Sequence, residues 1–157
     1  MRSILFVAAL FVAALAQAGE RVTPEDAPVV IYRAASSFDD TLANLELAIT
    51  DQGLKISNVL HISEMLERTA GDLGLTDKLY QRAESVEFCS IAASYKMSQA
   101  HPGNLAICPL TIAIYTPSGE PEAVYLSFRR PLLLGAAEAA VAEVMRLLDG
   151  IAQEAAQ

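Results

Sequence analysis

The sequence predicts one α+β domain, a sheet of about five strands, at least partly antiparallel, with helices packed on it. Three observations carry this. Strand-like and helix-like stretches alternate along the chain and end in two successive strands and a helix. The turn sequence Pro117-Ser118-Gly119-Glu120-Pro121 joins those two strands as a hairpin. Finally, 157 residues, 53% of them hydrophobic, are enough to bury one real core.

The first eighteen residues read as a secretory signal rather than as part of the domain. Arg2 supplies the positive start, Ile4 to Leu15 form an uncharged apolar run, and Ala16-Gln17-Ala18 matches a small-x-small cleavage pattern. The run is short for a bilayer span, which needs roughly twenty residues. An uncleaved anchor is the rival reading. No Cys at the cleavage point suggests a lipoprotein. The expected product is cut after Ala18 and is periplasmic or secreted, with no membrane attachment.

Residues 19–27 are polar and aperiodic and read as a flexible arm, leaving 28–157 as the domain. Val29-Val30-Ile31-Tyr32 is β-branched and aromatic, as in a strand. Ser36 or Ser37 caps a helix over Phe38 to Gln52, with Leu42, Leu45 and Ile49 at helical spacing, Asp39 and Asp40 in its first turn and Gly53 as its stop. Leu54 to Ile62 alternates as a second strand. Ser63 caps a short helix to about Ala70, which Gly71 and Gly74 break. Asp77 to Ala83 reads as a further helical turn or two, and Ser85 to Cys89 as a third strand. Ile91 to Ala100 is a helix ended by His101-Pro102-Gly103-Asn104. Leu105 to Thr116, strongly apolar, reads as the central strand, and Ala123 to Phe128 returns beside it. An Ala-rich helix from Gly135 to about Ala152 carries Val141, Val144, Met145 and Leu148 on one face.

Eleven basic residues face nineteen acidic ones, a net charge of −8, which excludes nucleic acid as the main partner and disfavours anionic membrane surfaces. An acidic face suits a basic periplasmic protein instead, such as a c-type cytochrome.

Cys89 and Cys108 both lie beside expected strands. In an oxidising compartment an even cysteine count points to a disulfide, worth roughly 3 kcal/mol in the chain-entropy model. If the flanking strands run parallel, however, the two would sit at opposite sheet ends, beyond the reach of about 7 Å that a disulfide tolerates. A ligand-binding or redox pair, or two inert thiols, are the alternatives. His61 and Met65 are four apart, as are Met97 and His101, a spacing that shares a helix face. Imidazole with thioether or thiolate suits copper, zinc or haem iron. Set against this, methionines fill cores and histidines cap helices. Arg129-Arg130 is an adjacent basic pair suited to a carboxylate or phosphate, or to an internal ion pair. The chain has no Cys-x-x-Cys-His, Cys-x-x-Cys, His-Glu-x-x-His, Gly-x-Ser-x-Gly or phosphate loop. Glu84 and Glu87 flank the third strand without a defined mutual distance.

Several of these residues form a pattern. His61 follows the second strand, Phe88-Cys89-Ser90 ends the third at a sharp turn, and Lys96-Met97 sits in a helix. Ile107-Cys108-Pro109 opens the central strand, and Phe128-Arg129-Arg130-Pro131 closes the last one. In order and spacing this resembles the bacterial and archaeal domain-of-unknown-function family 302. The chain departs from that pattern at Leu60, where many members carry Asp, at Cys89-Ser90-Ile91 in place of Gly-Asn-Pro, and at Cys108 in place of Leu. The resemblance implies a compact α+β fold able to form a homodimer, and no established reaction; the paired cysteines mark a variant branch.

The expected function is therefore a periplasmic binding or accessory domain rather than an enzyme. Its expected site lies where the ends of the third and central strands meet His61, and its expected ligand is copper, another soft metal or haem, held by His61, Cys89, Cys108 and Met97. A disulfide-stapled interaction protein and a thiol redox protein using Cys89 and Cys108 are the alternatives.

Overall fold

The computed structural model describes residues 19–157; the expected export signal over 1–18 lies outside the described residues. Six strands and four helices follow one another as β1 (Glu20–Arg21), β2 (Val29–Arg33), α1 (Phe38–Asp51), β3 (Lys55–His61), α2 (Ile62–Ala70), β4 (Tyr80–Cys89), α3 (Ile91–Ala100), β5 (Leu110–Pro117), β6 (Tyr125–Arg129) and α4 (Glu138–Ala155). Short 3-10 segments, Gly71–Leu73 and Pro102–Ile107, follow α2 and α3. The strands form one sheet in the order β1-β2-β6-β5-β4-β3, with every pairing antiparallel. This is the expected α+β domain, with six strands rather than about five.

Strand alternation decides where the core sits. Along β5, Leu110, Ile112, Ile114 and Thr116 are buried while the residues between them are half-buried, as a period of two requires. The buried set joins Val30 and Tyr32 of β2, Val86 and Phe88 of β4, and Leu126 and Phe128 of β6. Against it pack Leu45 and Ile49 of α1, Ala93 and Met97 of α3, and Val144, Leu148 and Ile151 of α4. On the opposite face Tyr115 stacks on Tyr125 at 5.5 Å between ring centroids and meets Tyr80 edge-on.

Local signals explain most boundaries. The Ser37 side chain accepts the Asp40 N–H at the start of α1, and Ser90 accepts the Ala93 N–H at the start of α3. The expected hairpin is present, with Ala113 opposite Ser127 and Tyr115 opposite Tyr125.

Four expectations change. Part of the arm pairs with β2, Glu20 opposite Arg33 and Arg21 opposite Tyr32, and Thr23 Oγ1 accepts the Ile31 N–H. Residues 77–83 form no helix; Tyr80 to Ala83 belong to β4 because β5 is long enough to pair with them, and that pairing overrides their weak local preference. Ser63 does not cap α2. Its hydroxyl, buried, takes the Ala83 N–H at 3.1 Å and returns a bond to the Ala83 carbonyl, stitching the helix to β4. The central strand starts at Leu110, not Leu105, since buried Asn104 holds the preceding turn: its Nδ2 donates to the carbonyls of Met97 and Leu134, and its Oδ1 accepts the Leu134 N–H.

Candidate functional site

Antiparallel pairing of β3 and β4 sets His61 opposite Glu84 and Lys55 opposite Cys89. Glu84 and Cys89 are five positions apart on β4, about 17 Å at the rise of a strand. The candidate residues therefore separate into two groups at opposite ends of the sheet. His61 and Met65 stand at one end; Cys89, Cys108, Met97, His101, Arg129 and Arg130 stand at the other. The single site expected from the sequence, joining His61 to the cysteines, is not assembled.

At the second end most side chains have structural employment. Met97 is fully buried in the core. His101 Nδ1 accepts the Gly103 N–H at 3.0 Å, which makes it the cap of the following turn. Arg130 donates from Nε to the Ala27 carbonyl and from Nη2 to the Glu25 carbonyl, bracing the N-terminal segment rather than forming an ion pair. Arg129 is exposed, forms no ion pair among the described residues, and borders a groove of about 220 Å³ with Ile107, Pro109 and Leu132.

The cysteines are free thiols. The antiparallel arrangement removes the objection that they lie at opposite ends, because Phe88 is opposite Leu110 and both cysteines sit just beyond that pair. Their side chains nevertheless diverge. Phe88 faces the core, so Cys89, next along the strand, points away from it and is exposed. Cys108 packs against the core with its Sγ 3.1 Å from the Ser94 hydroxyl of α3. The stapled and redox alternatives both require two thiols that meet.

The first end holds a built polar cluster. Arg82, Glu84, Val86 and Phe88 share the core-facing side of β4, so two charged residues stand where the alternation calls for apolar ones. The Glu84 side chain is only 6% exposed, and its Oε1 accepts from Arg82 Nε at 2.9 Å and Nη2 at 2.7 Å. The same guanidinium pairs with Asp39 at the start of α1 and lies 4.1 Å above the Phe38 ring. Burial disfavours the Arg82 charge, but its bonds to Glu84 and Asp39 outweigh this and push its pKa above the ordinary value. His61 Nδ1 lies 3.6 Å from the same Glu84 oxygen, while its side chain is 57% exposed. At that distance the carboxylate stands beside the ring as a neighbouring charge, just beyond hydrogen-bond reach. Met65 is exposed one turn along α2. Among the described residues no three His, Cys, Asp or Glu side chains converge as a closed metal cage.

Arg82 is the site residue that the sequence did not single out, while Glu84 enters the sequence reading only as a carboxylate beside the third strand and Asp39 only as a first-turn acid of α1. The signal available was Arg82-x-Glu84-x-Val86-x-Phe88, which becomes visible once 80–89 is read as one strand.

A family model for the domain of unknown function DUF302 matches residues 30–155. The chain belongs to DUF302. A solved structure described as an uncharacterized conserved protein DUF302 from Bacillus stearothermophilus is similar to it, with a TM-score of 0.67 at 12% identity, covering 83% of this chain and 98% of that one. At that identity the likeness concerns the fold. No curated protein matches this chain.

Proposed function

We propose that this DUF302 chain is an exported, non-catalytic binding domain that takes a soft metal ion, copper(I), at the exposed edge formed by His61 and Met65. The observation that carries this is the placement of Glu84, fixed by two bonds from Arg82, against His61 Nδ1. Metal-ligating histidines commonly have a carboxylate partner behind the ring, which Glu84 at 3.6 Å is placed to become with a small shift of the exposed His61 side chain, and a thioether selects soft ions. Two protein donors without a closed cage suit a site that exchanges its metal with a partner rather than one that holds the fold together. Export rests on Arg2, the apolar run 4–15 and Ala16-Gln17-Ala18.

The test is anaerobic titration of the chain 19–157 with copper(I) against a chromophoric competitor. One equivalent is expected to bind, with binding lost in His61→Ala, weakened in Met65→Leu and unchanged in the Cys89→Ser/Cys108→Ser double variant. Binding that survives His61→Ala, or that vanishes only with the cysteines, overturns the proposal.

A further inference from the structure

From Glu64 to Leu79 nearly every residue is exposed, although the stretch is rich in leucine. Helix α2 is amphipathic, with Ile62, Met65, Leu66 and Ala70 at helical spacing, yet little of the fold covers that stripe. Leu66 is 36% exposed, Leu73 71%, and Leu75 and Leu79 61% each. Between α2 and the segment entering β4 runs an apolar groove of about 90 Å³, lined by Leu66, Ala70, Leu75, Leu79 and Tyr80. An exposed apolar surface of this kind marks an interaction site.

Charge identifies the occupant. Glu67 is occupied by Lys78 at 3.3 Å. Glu64, Asp72 and Asp77 are exposed and form no ion pair among the described residues, and Arg68 is the one cation of the stretch left beside them. A second copy docked symmetrically through this face would bring together two patches of the same net negative sign, in a chain already at −8. A helix with apolar residues on one side and lysines or arginines on the other satisfies both the leucines and the acids.

We propose that the α2 face, with Leu66, Leu75, Leu79 and Asp77 lining its groove and Glu64 and Asp72 exposed in the same stretch, docks a basic amphipathic helix of a partner protein. This does not depend on copper: the groove contains neither His61 nor Met65.

A fluorescent lysine–leucine amphipathic peptide tests it by anisotropy with the metal-free chain 19–157, alongside the same peptide with glutamate for lysine. The lysine peptide is expected to bind and to weaken as salt rises. Leu75→Asp/Leu79→Asp is expected to weaken binding about tenfold or more, a loss of about 1.4 kcal/mol. Both positions are exposed, and an unchanged thermal midpoint shows that the variant is folded. Asp72→Lys/Asp77→Lys, which keeps every leucine, is expected to lose the lysine peptide and gain the glutamate one. Asp26→Lys/Asp51→Lys makes the same change of net charge elsewhere and is expected to keep wild-type binding.

Four results overturn the proposal. These are no binding of the lysine peptide, equal binding of both peptides, equal loss in the Asp26/Asp51 control, and sedimentation as a dimer that Leu75→Asp/Leu79→Asp dissolves. The last would identify a second copy as the occupant.

Discussion

Oε1 of Glu84, inside the sheet–helix layer, accepts two bonds from Arg82, and the same oxygen stands 3.6 Å from His61 Nδ1 at the surface. Glu84→Gln removes the charge that both neighbours face and leaves Arg82 only partly compensated. The expected cost is about 2 kcal/mol in urea unfolding. Copper(I) affinity should fall about 10- to 100-fold, the usual effect of losing a carboxylate behind a ligating histidine. A variant that loses stability while keeping full affinity would assign Glu84 to the fold alone.

The two methionines separate packing from ligation. Met97 is fully buried among core side chains, so Met97→Ala should cost about 2–5 kcal/mol through the cavity it leaves. Met65 is 45% exposed, so Met65→Ala should change stability by less than about 0.5 kcal/mol. Chemical denaturation of the two variants makes the comparison.

Tyr32 gives the fold a pH dependence. Burial, then the hydrogen bond from its hydroxyl to Asp149, pushes its pKa from 10.0 up to about 12. A raised pKa stabilises the fold while the phenol keeps its proton. That contribution is complete below about pH 10 and is lost as pH rises toward 12. Tyr115, raised by burial, and Tyr125, raised by its bond to Glu120, act in the same direction. Urea midpoints between pH 9 and 11.5 should fall, and fall less steeply in Tyr32→Phe.

The loop after α3 and the segment entering α4 that packs on it should each be sensitive at one position. Asn104→Ala leaves the Leu134 N–H and two carbonyls without their partner, an expected loss of about 3 kcal/mol. Gly135 has a φ of +79°, and a Cβ there would collide with the Ala100 carbonyl oxygen, so Gly135→Ala should cost at least about 1–2 kcal/mol. Thermal unfolding of both variants, beside Gly119→Ala, where nothing lies within 4 Å, checks the difference.

Thiol chemistry should follow the geometry. Exposed Cys89 is expected to react with a chromogenic disulfide at once, and half-buried Cys108 to follow more slowly. An intact mass two hydrogens below that of the reduced chain would show instead that the two pair.

Where local chemistry decided the structure, it was readable in the sequence. The cap at Ser37, the hairpin after Pro117 and the apolar run that ends at Thr116 all act within a few residues. Residues 77–83 failed because β5 imposes strand on them from across the sheet. The candidate site failed for the same reason. His61 and Glu84 are 23 positions apart, and the register that brings them together depends on the extent of β4. Candidates chosen by residue type, among them Met97 and Arg130, were absorbed by the core and by backbone carbonyls, which residue type does not reveal.

The place of β2 has a kinetic consequence. Its partner on the main sheet is β6, with Val29 opposite Arg129, a pairing that spans 100 positions, and α1 packs on α4 from the end of the chain. A growing or threading chain cannot close its N-terminal third until its last strand and helix have emerged. Such long-range closure slows folding through the loop entropy it must overcome. Each molecule thus passes its early life with β2 and the inner side of α1 uncovered, the interval in which a chaperone would engage it or aggregation begin.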